Sequence, residues 1–232
     1  MTPELLDRLQ QARATRRPVA LLTRLPDGAQ RLYPDEPISI ALGDAAEAAL
    51  RDDRAGPVTL EGETWFIHPQ TPPPRLIVVG AVHVAQALVP MAAAVGLAVT
   101  IVDPRRAFAT EERFAADATL VTDWPDDALA ALKPDSRTAI VTLTHDPKLD
   151  DPALDTAIRS DAFYIGALGS RRTHAKRVDR LSEAGHGPEA IARIHAPVGL
   201  DIGAVTAPEI ALSIIAQVVA ARRGKLDGGR LA

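Results

Sequence analysis

The residues best equipped for chemistry gather in short stretches that each follow an apolar run: Gly80-Ala81-Val82-His83, Asp103, Thr144-His145-Asp146, and Gly166-Ala167-Leu168-Gly169-Ser170-Arg171-Arg172. A further pair, His195 and Asp201, sits in a segment rich in glycine and proline. In the Gly166 to Arg172 stretch, glycines free the backbone, Ser170 can start a helix, and Arg171 and Arg172 offer forked donors. Exposed helix amides and guanidinium groups together suit a phosphate-like anion. The competing reading is a solvated basic helix face of Arg171, Arg172, Lys176, Arg177 and Arg180. His83 opens a helix, where the positive dipole end disfavours protonation. A neutral imidazole there can ligate a metal or hydrogen-bond an anion, or simply cap the helix. His145 and Asp146 resemble a base and its orienter, or equally a turn before Pro147. His195 and Asp201 either line a crevice or hold their long loop.

Arg75 to Asp103, RLIVVGAVHVAQALVPMAAAVGLAVTIVD, sets the frame for these residues. An apolar run, a glycine turn, a helix and a second apolar run ending in an acid spell a nucleotide-type βαβ unit. The fingerprint Gly-x-Gly-x-x-Gly/Ala is met at Gly80 and Ala85, but Val82 stands where a pyrophosphate normally touches bare backbone. The fold signal is strong, and Val82 weakens the case for NAD(P). Asp103 follows Gly80 at close to the spacing of an acid that accepts from a ribose 2′-hydroxyl. A loop aspartate paired with Arg105 or Arg106 is the alternative.

Alternating strands and helices must position these groups. Pro69 to Pro74, PQTPPP, reads as a linker. Before it, a short helix around Leu5, Leu6 and Leu9, a strand Val19 to Leu25, a turn at Asp27-Gly28, a strand Gln30 to Tyr33 and a helix Asp44 to Arg51 are expected. A hairpin of Val58 to Leu60 and Thr64 to Ile67 around Glu61-Gly62 completes residues 1–70 as a small α+β domain. After it, residues 75–232 read as a second domain, a doubly wound parallel sheet. Strands are expected at Leu76 to Val79, Ala98 to Val102, Ala118 to Val121, Thr138 to Leu143 and Ala162 to Ile165. Helices are expected at Val82 to Val95, Ser170 to Ala184 and Pro208 to Arg223. Thr206 and Glu209 form a capping box at the start of the last. In such sheets ligands bind beyond the carboxyl ends of the strands, where the stretches above all lie.

Composition excludes several classes. With 232 residues, 47% hydrophobic and 24% charged, the chain can bury a sizeable core. A net charge of −4 gives no basic footprint for nucleic acid or for an anionic membrane. Zero cysteines exclude disulfides, thiolate catalysis and cysteine metal sites. The first residues lack a signal-peptide core, and no run reaches the roughly 18 apolar residues of a membrane helix, so a cytoplasmic location is expected.

The segments Arg75 to Asp103, Thr144 to Asp146, Tyr164-IGALGSRRTHAKR and RIHAPVGLDIGAVTAPEIALSIIAQVVAARRG together resemble the XdhC/CoxI family of molybdenum-hydroxylase maturation proteins. The likeness covers about two-thirds of the chain. It implies a small N-terminal domain joined to a Rossmann-like C-terminal domain. It further implies a chaperone, not necessarily an enzyme, that binds the molybdenum cofactor and protects it while a cysteine desulfurase exchanges a terminal oxygen for sulfur. The cofactor is then delivered to a xanthine-dehydrogenase-like molybdenum hydroxylase. On that reading Gly169, Ser170, Arg171 and Arg172 hold the phosphate of molybdopterin, while His83, His145, His195 and Asp201 surround the pterin or the oxo-metal centre. The apolar helix Ile210 to Ala221, with the resemblance, suggests a homodimer. Two departures stand out. Val82 replaces the glycine of the family's Gly-Ala-Gly-His turn, and the family's glycine-rich N-terminal stretch with a cysteine is absent. The alternative from another class is an NAD(P)-dependent oxidoreductase or other nucleotide-binding Rossmann protein, motivated by the βαβ unit and Asp103.

Overall fold

The computed structural model describes residues 2–114, 118–227 and 230–231. The chain divides between Pro72 and Pro73 into two compact units. In the first, α1 (Pro3–Ala14), β1 (Val19–Arg24), β2 (Gln30–Tyr33), α2 (Ile40–Asp52), β3 (Gly56–Leu60) and β4 (Glu63–Gln70) follow in order. The strands form one antiparallel sheet, β2-β1-β4-β3. Strand alternation sends Ala20 and Leu22 toward α2, and Val19 and Leu32 toward α1. Glu61 and Gly62 both take positive φ at the β3–β4 turn, as the tight hairpin requires.

The second unit holds β5 (Arg75–Val79), α3 (His83–Ala94), β6 (Ala98–Val102), α4 (Glu111–Phe114), β7 (Ala118–Val121), α5 (Pro125–Leu132), β8 (Thr138–Thr142) and α6 (Pro147–Arg159). Then come β9 (Tyr164–Ala167), α7 (Arg171–Glu183), α8 (Pro188–Ile191), β10 (Ile194–His195) and α9 (Ala207–Arg222), with a small β11 (Leu226–Asp227) and β12 (Arg230–Leu231) pair at the end. Six strands run parallel in the order β10-β9-β8-β5-β6-β7. Counted from β5 this is the 3-2-1-4-5-6 arrangement of dinucleotide-binding sheets, whose order reverses between β5 and β8. The expected Rossmann-like α/β fold is therefore present.

β5 and β8 are near-continuous apolar runs because both faces of the sheet are covered. Leu76 and Val78 pack toward α3 and α9, whereas Ile77 and Val79 pack toward α5 and α6. The register aligns Val79 with Val102 and Thr142, and Thr142 with Ala167. Gly80, Asp103, Leu143 and Leu168 consequently leave the sheet along a single edge. No helix among the described residues is long and apolar enough to cross a membrane.

Two differences from the sequence reading bear on the site. The fifth parallel strand, β9, runs from Tyr164 to Ala167, two residues later than expected, so Gly166 is a buried strand residue and not loop. Its lack of a side chain answers close packing: a Cβ there would meet Val198 at 2.5 Å and the Tyr164 ring at 2.9 Å. Where a turn before Pro147 was one reading, a whole helix, α6, begins; Pro147 sits at its first positions, where a missing N–H costs nothing.

Candidate functional site

The carboxyl edge of the parallel sheet has two ends. At the tips of β5, β6 and β8, Gly80 turns with φ of 116°, and a Cβ on it would lie 2.7 Å from Thr144 Cγ2. Only glycine lets the first turn sit against the β8 loop this closely. Asp103 is fully buried. Its carboxylate accepts from the Ala81 amide at 2.8 Å and the Arg105 amide at 3.0 Å. Arg105 closes a fork on it through Nε at 2.9 Å and Nη2 at 2.8 Å. Burial alone would push this carboxyl up, but Arg105 and the two amides outweigh it and hold the acid below its usual range.

One strand along, Asp150 on α6 organises the β8 loop. It accepts from Thr144 Oγ1 at 2.6 Å and from the His145 amide at 3.1 Å, which holds His145 at φ of 61°. Behind it lies Arg177, whose Nη2 is 3.6 Å from Asp150 and 3.2 Å from the Leu168 carbonyl. Both side chains are 2% exposed. Burial raises the Asp150 pKa and lowers that of Arg177, each against the attraction of the other. Nε and Nη1 of Arg177, and Nδ1 of His174 one turn earlier, are buried without a hydrogen-bond partner.

At the tips of β9 and β10 the edge opens into a cavity of about 610 Å³. Arg171, His195, Asp201, Ser213 and Gln217 are among its lining residues, with the backbone from Pro197 to Ala204. The His195 ring stacks on Tyr164, centroids 4.9 Å apart and planes 7° apart, and its burial lowers the imidazole pKa. Gln217 Oε1 accepts from the Tyr164 hydroxyl and from the Gly199 amide, the latter at 2.8 Å. Gly199 has φ of 97°, and a Cβ there would press on Ser213 Oγ at 2.3 Å. Ser170 caps α7, accepting from the Thr173 amide at 3.2 Å, and places Arg171 in the first turn. A flat ring, buried polar groups and a cation thus border one void.

A family model described as the XdhC Rossmann domain matches residues 76–218, which include all of this edge. The chain belongs to the XdhC family. It is 34% identical over 187 residues to a probable xanthine dehydrogenase component of Bacillus subtilis (strain 168), covering 78% of this chain and 54% of that protein. It is 41% identical over 95 residues to the molybdenum cofactor insertion chaperone PaoD of Escherichia coli (strain K12), covering 41% of this chain and 30% of that one. Uncharacterized protein YqeB of the same strain is 35% identical over 158 residues, 67% of this chain and 28% of that protein. The crystal structure of a xanthine dehydrogenase from Bacillus halodurans aligns with a TM-score of 0.69 at 26% identity, over 96% of this chain and 65% of that one. This chain spans only 28 to 54% of the length of the curated relatives it matches.

Within the XdhC domain the sequence-predicted residues fall into two groups. Arg171, His195 and Asp201 border the cavity. Gly80, Ala81, Val82, His83, Asp103, His145 and Asp146 belong to the β5, β6 and β8 end. There Val82 packs against the core and precedes α3 without capping it through its side chain, while His83 is exposed. Asp146 caps α6, accepting from the Lys148 amide at 3.0 Å. Gly169 takes φ of 137° just before Ser170, and Arg172 is exposed beside Arg171. Sequence reasoning missed Asp150, Tyr164, Ser213 and Gln217, and it named Arg177 only in the competing reading of a solvated basic face. A readable signal existed on α9, where Ser213 and Gln217 interrupt an apolar helix at the i, i+4 spacing of one face. Among the described residues no group of three or more His, Cys, Asp or Glu could hold a metal ion.

Proposed function

We propose that this chain binds the molybdenum cofactor and acts as a maturation chaperone. It protects the cofactor, assists its sulfuration by a cysteine desulfurase, and passes it to a xanthine-dehydrogenase-like molybdenum hydroxylase in the cytoplasm, with the chain working as a homodimer. The observation that carries this reading is the cavity at β9 and β10 in an XdhC domain. Arg171 lies on its wall and Arg172 is exposed beside it. These residues fit an anionic, flat group: Arg171, Arg172 and the Ser170 cap would take the phosphate, and His195 with Asp201 would face the rest. When bound, the cofactor supplies the redox-active molybdenum that a hydroxylase needs. The chain's own part is to bind, orient and shield it, and a protein of that kind need not catalyse anything. The names of PaoD and of the Bacillus subtilis relative support this direction.

The test is to purify the chain from cells making the cofactor, without oxygen, and assay bound molybdopterin. The wild type is expected to retain it and Arg171→Ala with Arg172→Ala to lose it; an empty wild-type protein would overturn the reading.

A second reading, an NAD(P)-dependent oxidoreductase, is favoured by the strand order alone. It requires Asp103 to release Arg105 before meeting a ribose. Silence of the tryptophan-to-NADH energy transfer at millimolar nucleotide would count against it.

A further inference from the structure

His195 lines the cavity while Tyr164, 1% exposed and stacked behind it, does not. The imidazole therefore stands between the tyrosine and the void: the phenol ring covers one of its faces, and the residue borders the cavity. Burial depresses its protonation, so what borders the cavity there is a neutral aromatic ring. Beneath it, Ser213 and Gln217 are 3% and 2% exposed, the two polar side chains among the buried residues of α9. Neither is placed at random. Gln217 ties Tyr164 to the Gly199 amide, and so holds the stacked ring against the turn that closes the cavity. Ser213 donates to the Ile210 carbonyl at 2.8 Å, and its hydroxyl packs directly against the Gly199 backbone, 2.3 Å from where a Cβ on that residue would lie. Arg171, exposed, borders the same cavity.

We propose that this cavity receives a flat, neutral heterocycle with an anionic tail. The ring lies against His195, over the Gly199 turn that Ser213 and Gln217 hold in place from behind, and the tail meets Arg171 outside. This rests on the cofactor reading and sharpens it, assigning the pterin to the inside and the phosphate to the rim. A purine nucleoside monophosphate has the same chemistry, and aromatic stacking favours either ring by roughly 3- to 10-fold over an aliphatic wall.

The test titrates the full chain with neopterin monophosphate, whose own fluorescence reports stacking, and separately with neopterin and with GMP. Saturable quenching is expected, weakened about tenfold in His195→Ala and retained in His195→Phe, which keeps the flat face. Arg171→Ala is expected to reduce the phosphorylated probe to the affinity of neopterin itself, and Ser213→Ala to weaken both. GMP binding with the same dependence on His195, and no pterin binding, would support the slot but count against the cofactor reading. Absence of binding by both probes, or binding indifferent to His195, overturns the slot. It does so even if the purified chain carries molybdopterin, a result that would leave the chaperone reading standing.

Discussion

Two ends of one sheet edge contrast in what their polar groups do. At β5, β6 and β8, acids meet donors from within the chain: Asp103 takes Arg105 and two amides, and Asp150 takes Thr144 and the His145 amide. At β9 and β10, Arg171, His195, Ser213 and Gln217 border a cavity. The end that carries the nucleotide-like motif commits its buried acids to internal partners, and the end without a motif has room for a ligand. A fingerprint marks where a fold needs glycine; an open wall of polar and aromatic groups marks where a molecule can go.

The contrast can be broken most forcefully through Arg177. Arg177→Met leaves Asp150 charged and buried without its partner, and is expected to cost about 3–5 kcal/mol in denaturant unfolding. A loss below about 1 kcal/mol would mean that the β8 end does not depend on internal pairing. Next in size, Arg105→Ala removes the fork on Asp103 and should cost roughly 1.5–3 kcal/mol by the same assay, as hydrogen bonds to a charged group do. If NADH binding then emerges, the closure of that end is what excludes the nucleotide.

The smallest effect concerns pH. His195 and His174 have pKa values lowered by burial, so between those values and the ordinary 6.5 the unfolded chain binds more protons than the folded one. Stability from these groups is complete above about pH 6.5 and is lost as pH falls below it. Melting temperatures measured from pH 7.5 to 5 should decline, and His195→Phe should flatten part of that decline. An unchanged slope would show that the stacked imidazole takes up its proton as readily in the folded chain as in the unfolded one.

Much of this architecture was legible because the responsible forces are local. The buried runs of β5 and β8, the Glu61-Gly62 turn and the Thr206–Glu209 capping box each declare themselves within a few residues. Helices α5 and α6 did not: each opens on a proline, Pro125 and Pro147, seated in the first turn where proline is tolerated. The site was less legible. Arg177 sits in a run of basic residues that patterning assigns to solvent, and only the tertiary approach of α6 and the β9 loop buries it. Asp103 could be read as partner to a ribose or to an arginine, and in the fold it accepts a fork of hydrogen bonds from Arg105, two residues away.

Arg177 also joins what the comparison separates. One guanidinium holds the Leu168 carbonyl, at the border of the cavity, and faces the carboxylate that fixes the Thr144–His145 backbone. The two loops therefore share a single fastening. A displacement of either loop pulls on the guanidinium that holds the other.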